Sequence, residues 1–556
     1  MATTSKPRSR PGFLSTRRGR ILIENLTAYT FLAPAGIVIF LFGIFPVAFS
    51  LYVSLHRWRR FPENYVALDN YERALGGFGY VFFFWLSLAG LLYGLYALYQ
   101  LWRQSSDNRR ELALSLPGIV NGVALLVFVR WFFTLLPVVL NIPQRVRGQE
   151  RVPGLFVNEL FASFQYPEVV EAGNLLLGFA LVAVVLSLLV VRWVRSDDSG
   201  TGLLGVTGGA LVGGAGLLGL QLVVSQINEA VAAAQAAGEP LALWSQVLLI
   251  SLGAALVLLA YVVWTRAVKT GGDRAFVLKA VAAVALLAAG YFLVTELPRT
   301  LVTADDDMLQ AYGVTLLFVI GTVPVQLASG LGLAYLLFQN IRGKSFFRII
   351  YFLPYITPFV ATSIVFRILF SHRPTSLANI ILSSLGMPAQ NWLLEPRGIF
   401  QLMFGSDVPA ALAGPSLALI VIMIYSVWTY IGYDTVIFLA GLGNIPGELY
   451  EAARIDGASG WGLFRHITLP LLSPTTFFLS LIAIIGTFQA FTQIWIMRTP
   501  SSAKSVDTVS VYIFEAVRST DPNMGYGSAM AFVLFVIILL MTFAQNRIAE
   551  SRVFYG

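Results

Sequence analysis

Long apolar segments dominate this chain, and they leave it few ways to fold. A helix that crosses a bilayer needs about 20 mostly apolar residues, because lipid offers no partner to an unpaired backbone N–H or C=O. Twelve segments meet that requirement, at approximately 27–55, 78–102, 113–140, 174–194, 202–224, 244–265, 276–297, 311–340, 349–370, 412–440, 475–497 and 528–546. Of the 556 residues, 57% are hydrophobic and only 12% charged, against about 25% charged in soluble domains. The expected fold class is an all-α, polytopic transmembrane helical protein of about 12 spans, with the lipid bilayer as its solvent.

Cysteine is absent, which removes disulfides, thiol nucleophiles and thiolate metal sites. The net charge of +8 reports topology in such a chain; no aromatic-interleaved basic patch accompanies it, so nucleic acid is not an expected partner. The N-terminus is basic, with Lys6, Arg8, Arg10, Arg17, Arg18 and Arg20 ahead of an apolar run of about 29 residues, Thr27 to Leu55. That run exceeds the ~7–15 residues of a signal-peptide core and is read as a retained first helix, despite the twin-arginine-like Thr16-Arg17-Arg18.

Basic residues set the expected orientation. With the N-terminus inside and twelve crossings, 22 of the 37 Lys and Arg fall inside and 13 outside, with Arg130 and Arg367 within spans. This bias predicts cytoplasmic N- and C-termini. Arg57, Arg59 and Arg60 run against it, with Glu63, Asp69 and Glu72 nearby to offset them. Arg367 lies near the outer end of its span and can snorkel; Arg130 is deeper and is read as an inter-helix ion pair or a snorkelled charge. The fifth span is glycine-dense, and Gly209 to Gly213 forms a GxxxG. This pattern allows either close helix approach or a loosely packed lipid-facing span.

One segment between spans is not apolar. Residues 451–474 read EAARIDGASGWGLFRHITLPLLSP, after the lead-in Ile445 to Tyr450. Pro446 suits the start of a helix, and Glu448 and Glu451 suit its positive end. Leu449, Tyr450, Ala453 and Ile455 supply an apolar side. Gly457 can close the helix in a left-handed conformation, and Ser459 can cap a second short helix through Trp461, Phe464 and Ile467. Pro470 and Pro474 redirect the chain. The expected product is a helix–bend–helix knob, on the inside by the charge bias alone.

Glu451-Ala452-Ala453, Asp456-Gly457-Ala458 and Ile467 with Leu469-Pro470 together resemble the EAA loop of bacterial ABC importer permeases, and the lead-in resembles the sugar-importing, maltose-type branch. Residues 20–75 look like the first core helix and following loop of such permeases, and 311–556 like the other five. The resemblance implies a six-helix permease core, with about six inserted helices at 76–310 where maltose-type permeases carry a soluble external domain. The expected division is a cytoplasmic N-terminus at 1–26, a first core helix and external loop at 27–75, the inserted membrane block at 76–310, and the rest of the core at 311–556 with the EAA loop at 445–474. It also implies ATPase coupling through Glu451, Ala452, Ala453, Asp456, Gly457, Ala458, Leu469 and Pro470. The implied partners are a second homologous permease, a dimeric cytoplasmic ABC ATPase and an extracytoplasmic solute-binding protein, and the implied location is the bacterial cytoplasmic membrane.

Polar groups within spans tend to face a cavity or a partner helix. The tenth span carries Tyr425, Ser426, Trp428, Thr429, Tyr430, Tyr433 and Asp434; the eleventh carries Thr487, Gln489, Thr492 and Gln493. Rings stack on the C–H faces of sugars, and hydroxyls and amides bond their hydroxyls. By the resemblance, Tyr433 and Gln489 fall at substrate-contact positions, whereas Ile485 and Gly486 stand where the family has an aromatic and an amide. The expected substrate pathway is Tyr430, Tyr433, Gln489, Thr492 and Gln493, for a carbohydrate, an oligosaccharide by that resemblance. The same polar groups would also serve to bond neighbouring helices.

Other chemistries find little support. Gly343-Lys344-Ser345 resembles the end of a phosphate-binding loop, but Phe338 stands where that loop needs glycine. His56, His372 and His466 are scattered, so neither a metal site nor a cofactor is expected, and no polar cluster suggests catalysis. The competing reading is an ion-coupled secondary transporter of a small polar solute; such carriers usually show two related halves, and this sequence shows no convincing repeat.

Overall fold

The structure is a computed structural model describing residues 17–104, 109–148, 153–194, 199–238, 242–270, 272–339, 342–409 and 412–552. Most of the basic N-terminus, residues 1–16, lies outside these. Ten helices are long and apolar enough to cross a membrane, and two bent pairs bring the total to twelve if each is one span. The first span is α1 (Arg17–Ile39) and α2 (Phe45–Ser54), joined by a π-helical turn at Phe40–Ile44. A short antiparallel hairpin follows, β1 (His56–Trp58) and β2 (Pro62–Tyr65), which hydropathy did not foreshadow, and then α3 (Asp69–Leu75).

Six long helices occupy the middle of the chain: α4 (Phe78–Gln104), α5 (Ser115–Leu140), α6 (Pro167–Val194), α7 (Ser199–Ala237), α8 (Leu243–Lys269) and α9 (Asp273–Leu301). Gly209, Gly213, Gly214, Gly216 and Gly219 of α7 pack against neighbouring helices, whereas Gly205 and Gly208 meet nothing within 4 Å. A Cβ on Gly94 of α4 would lie 2.7 Å from the Gly209 carbonyl oxygen and from Gly213 Cα of α7, and Gly90 meets Gly216. Two GxxxG ridges, Gly90–Gly94 and Gly209–Gly213, therefore interlock. On another face of α7, Ala210 and Gly214 receive Gly122 and Leu126 of α5. Asn121 and Ser187 hydrogen-bond α5 to α6. Arg130 is exposed on α5 and forms no ion pair among the described residues, which removes the expected inter-helix pair.

The rest of the chain builds a second set: α10 (Asp306–Phe338), α11 (Lys344–Ile356), α12 (Phe359–Leu369), α13 (Leu417–Gly443), α14 (Gly447–Ile455), α15 (Ser473–Phe488), α16 (Thr492–Met497), α17 (Val509–Arg518) and α18 (Met524–Arg552). Two expected spans are not single helices. The ninth, 349–370, breaks at Thr357–Pro358, and α11 and α12 meet at 97°. Pro358 is the cause: it disfavours helical geometry in the residue before it, and Thr357 is extended at φ −69°, ψ 145°. The eleventh, 475–497, stops at Phe488 and resumes at Thr492, with Phe491 at φ −135°, ψ −60°.

Close backbone approaches fix this second set. A Cβ on Gly432 of α13 would collide with the Tyr351 carbonyl of α11, and one on Gly330 of α10 would lie 2.7 Å from Asp434 Cβ. The first span closes onto the last, with Ser50 Oγ donating to the Ser528 carbonyl at 3.4 Å. The middle helices join them at one end, where Phe83 of α4 stacks on Phe532 of α18 and meets Tyr71 edge-on. There Asp305 accepts hydrogen bonds from Tyr512 at 2.9 Å and Tyr526 at 2.7 Å, and caps α10.

These contacts test the alternation of spans. Segments assigned to one side meet one another: Arg59 pairs with Asp521 at 3.2 Å, Lys504 with Asp307 at 2.6 Å, and Thr499 donates to the Leu393 carbonyl at 3.0 Å. At the opposite end Tyr335 meets Phe464 at 5.0 Å, and Thr475 and Leu472 meet Gly441. The crossings are thus self-consistent.

Candidate functional site

The polar loop folds as a knob. Pro446 precedes α14 as its N-cap, Glu448 sits in the first turn, and Arg454 in the last. Gly457 closes the helix at φ +83°, a value that favours glycine. Its N–H bonds the Arg454 carbonyl at 3.0 Å, and the Ala458 N–H bonds the Ala453 carbonyl at 2.9 Å, the paired closure of a Schellman end. Ser459 Oγ then accepts from the Gly462 N–H at 3.2 Å and caps the helix Gly460–Leu463. A π-helical turn at Phe464–Thr468, which the sequence did not signal, leads to Leu469–Leu471.

Tyr450 and Thr468 hydroxyls hydrogen-bond at 3.0 Å and clasp the two arms. Beneath them Leu442, Ile445 and Leu472 are buried together. Of the eight residues singled out in this loop, Glu451, Ala452, Asp456, Gly457, Leu469 and Pro470 are exposed and Ala453 and Ala458 half-buried. Ile455 does not join an inward apolar side: it is 87% exposed, and Trp461 is 67% exposed. Two apolar side chains thus project from an otherwise polar loop.

A cavity of about 300 Å³ lies between α10, α11, α12, α13, α15 and α16. Tyr430, Tyr433, Gln489, Thr492 and Gln493 all line it, so the five expected pathway residues share one space. Gly486 also lines it; Ile485 does not. Both helix breaks flank the cavity. Tyr355 and Phe359 stand on either side of the Thr357–Pro358 bend, and Gln489 and Gln493 on either side of the break before Thr492, all four on the lining. Broken helices at membrane depth are tolerated where they line a cavity, and in transporters they mark the binding site.

The aromatic wall is continuous. Tyr355 stacks on Tyr433 with centroids 5.0 Å apart, and Tyr430 lies 6.0 Å from both Tyr355 and Phe359. Sequence reasoning missed Tyr355, Phe359, Thr322 and Gln326. The signal for the first two was Pro358 itself; α10 offered none, because hydropathy does not show which face of a span turns inward. The cavity supplies ring faces, hydroxyls, amides and the buried carboxyl of Asp434. No cluster able to hold a metal occurs among the described residues.

Residues 326–554 match the family described as the binding-protein-dependent transport system inner membrane component. The chain belongs to this family: it is a multi-pass inner membrane permease component, and the ion-coupled carrier reading falls away. It is 34% identical over 237 residues to the arabinooligosaccharides transport system permease protein AraP of Bacillus subtilis (42% of this chain, 67% of that protein). It is 31% identical over 251 residues to the lactose transport system permease protein LacF of Rhizobium radiobacter (45% and 78%). It is 32% identical over 259 residues to the sn-glycerol-3-phosphate transport system permease protein UgpA of Agrobacterium fabrum (46% and 80%). Among solved structures, a bacterial alginate ABC transporter in complex with alginate pentasaccharide-bound periplasmic protein aligns with a TM-score of 0.39 at 20% identity, over 44% of this chain and 80% of that one.

Proposed function

We propose that the chain is a permease subunit of an ATP-driven importer that passes a carbohydrate, delivered by an external solute-binding protein, through the cavity. One observation carries this reading: α13 both lines the cavity and runs into the knob. Asp434 and Gly443 lie on the same helix, nine residues and about 14 Å apart. A displacement of the knob is thereby a displacement of Tyr430 and Tyr433. ATP hydrolysis belongs to a separate ATPase, which docks on Glu451, Ala452, Ala453, Asp456, Gly457, Ala458, Leu469 and Pro470, with Ile455 and Trp461 as its apolar contacts. A second permease completes the path.

This reading places the knob and both termini in the cytoplasm. Residues 27–75 and 311–556 form the permease core, and 76–310 an inserted membrane block. The names of similar permeases, arabinooligosaccharides and lactose among them, support a carbohydrate. The test is a mild-detergent pull-down of the tagged chain from native membranes. Recovery of an ATPase and a second permease with the same loop is the expected result; repeated recovery of the intact chain alone would overturn it.

A further inference from the structure

Two buried polar atoms on the cavity lining have no hydrogen-bond partner. They are Thr322 Oγ1 on α10 and Asp434 Oδ2 on α13. The contacts of Gly321 with Met423 and of Gly330 with Asp434 align the two helices. Thr322 thus stands at the level of Ser426, and Asp434 marks the end nearest the knob, about 12 Å further along α13. Asp434 is 1% exposed, and Gln326 lies beside its carboxyl. A buried carboxyl oxygen without a partner is costly and calls for an explanation. A solute dense in hydroxyls supplies one, because each hydroxyl both donates and accepts.

An anionic solute does not. Around Asp434 the lining offers tyrosines, amides and hydroxyls, and it includes no Lys, Arg or His. In neither protonation state does a carboxyl neutralise an anion, and burying an ion with no counter-charge is strongly unfavourable. The names of similar permeases leave this open, since they include neutral sugars and a phosphate ester.

We propose that Asp434 is a specificity-determining residue at the knob-side end of the cavity: with Thr322 and Gln326 it admits neutral, polyhydroxylated solutes and turns away anionic ones. This rests on the import reading above.

The test is uptake of labelled probes by cells carrying the whole importer, with the gene for this chain intact, deleted, or altered to Asp434→Asn or Asp434→Ala. The probes are lactose, maltotriose and arabinotriose as neutral solutes, and digalacturonate and glycerol 3-phosphate as anions. Deletion is expected to abolish uptake of at least one neutral probe and of neither anion. Asp434→Asn, which keeps the shape and replaces the unpartnered carboxyl oxygen with an amide, is expected to lower the maximal rate of that uptake at least tenfold, as loss of a solute hydrogen bond in a desolvated site does. The purified complex should melt unchanged, and KM, governed by the delivering protein, should stay constant. Anion uptake lost on deletion would overturn the proposal, as would wild-type neutral uptake by both variants. If deletion abolished uptake of no probe, the import reading would fall with it, a result distinct from the other two.

Discussion

The interlocked glycines of α4 and α7 give a prediction with its own control. Replacing Gly94 with leucine puts its Cβ 2.7 Å from the Gly209 carbonyl oxygen and Gly213 Cα. Ordinary contact begins near 3.4 Å, so the helices must part by roughly 0.7 Å for the Cβ alone, and more for the branched end. Overpacking of this kind costs about 1–3 kcal/mol. A gap of 0.5–1 Å along the rest of the seam forfeits about a quarter to a half of each contact. A loss of about 3 kcal/mol is expected. Gly205, on the same helix α7, has nothing within 4 Å; Gly205→Ala should be neutral or stabilise by up to about 1 kcal/mol through helix propensity. Gly94→Leu should lower the unfolding midpoint in detergent, and Gly205→Ala should not. Equal midpoints for wild type and Gly94→Leu would refute the packing argument.

Further outcomes follow from the knob, the outer loops and the topology. Gly457→Pro and Glu451→Ala should abolish solute uptake at normal membrane abundance, the proline because it forbids φ +83° and removes the bond to the Arg454 carbonyl; normal uptake in both would defeat the coupling role. Burial pushes the Asp507 carboxyl up to about 7, with Arg498 opposing and Glu515 adding to the rise. A raised acid stabilises the fold below its unfolded value of 3.8 and loses that contribution as pH climbs to about 7. Melting temperature should therefore fall over that window in wild type and less in Asp507→Asn, whereas matched profiles would remove Asp507 as the cause. Asp305 shows the opposite sign: burial raises it, but bonds from the Tyr526 and Tyr512 hydroxyls and the Met308 and Asp307 N–H groups together hold it low, so its contribution is lost only as pH falls through the lowered value. In intact cells a membrane-impermeant maleimide should label Arg57→Cys and spare Ser459→Cys; the reverse pattern would invert the proposed orientation.

Much of this architecture was readable in advance, for reasons that differ by element. Twelve apolar segments follow from backbone hydrogen bonding in lipid, and the alternation they imply reappears as Arg59–Asp521 and Lys504–Asp307 contacts on one side. The knob was legible in detail because its chemistry is local: Gly457 and Ser459 act within four residues of themselves. The breaks were less so. A hydropathy window averages across Thr357–Pro358, although the proline announced the bend, and Gln489–Phe491 contains neither glycine nor proline. Five cavity residues were found in the spans beside the loop, by their polarity and, for Tyr433 and Gln489, by the family resemblance. Tyr355, Thr322 and Gln326 arrive from other helices, and only tertiary packing brings them there. Gly209–Gly213 declared a close approach without naming its partner, since Gly90–Gly94 lies more than 100 residues earlier.

The pairing of the first span with the last also sets a clock on biogenesis. α2 ends at Ser54 and α18 begins at Met524, about 470 residues later. At ~5–20 residues per second of synthesis, the first helix waits roughly 25–90 s for its permanent neighbour. Phe132 and Phe133 of α5 emerge about 80 residues after α2, and they already meet Phe45 at 5.9 Å and Tyr52 at 4.5 Å in the finished protein. The inserted helices thus supply a partner for α2 within the first tenth to fifth of its wait, long before the permease core is complete.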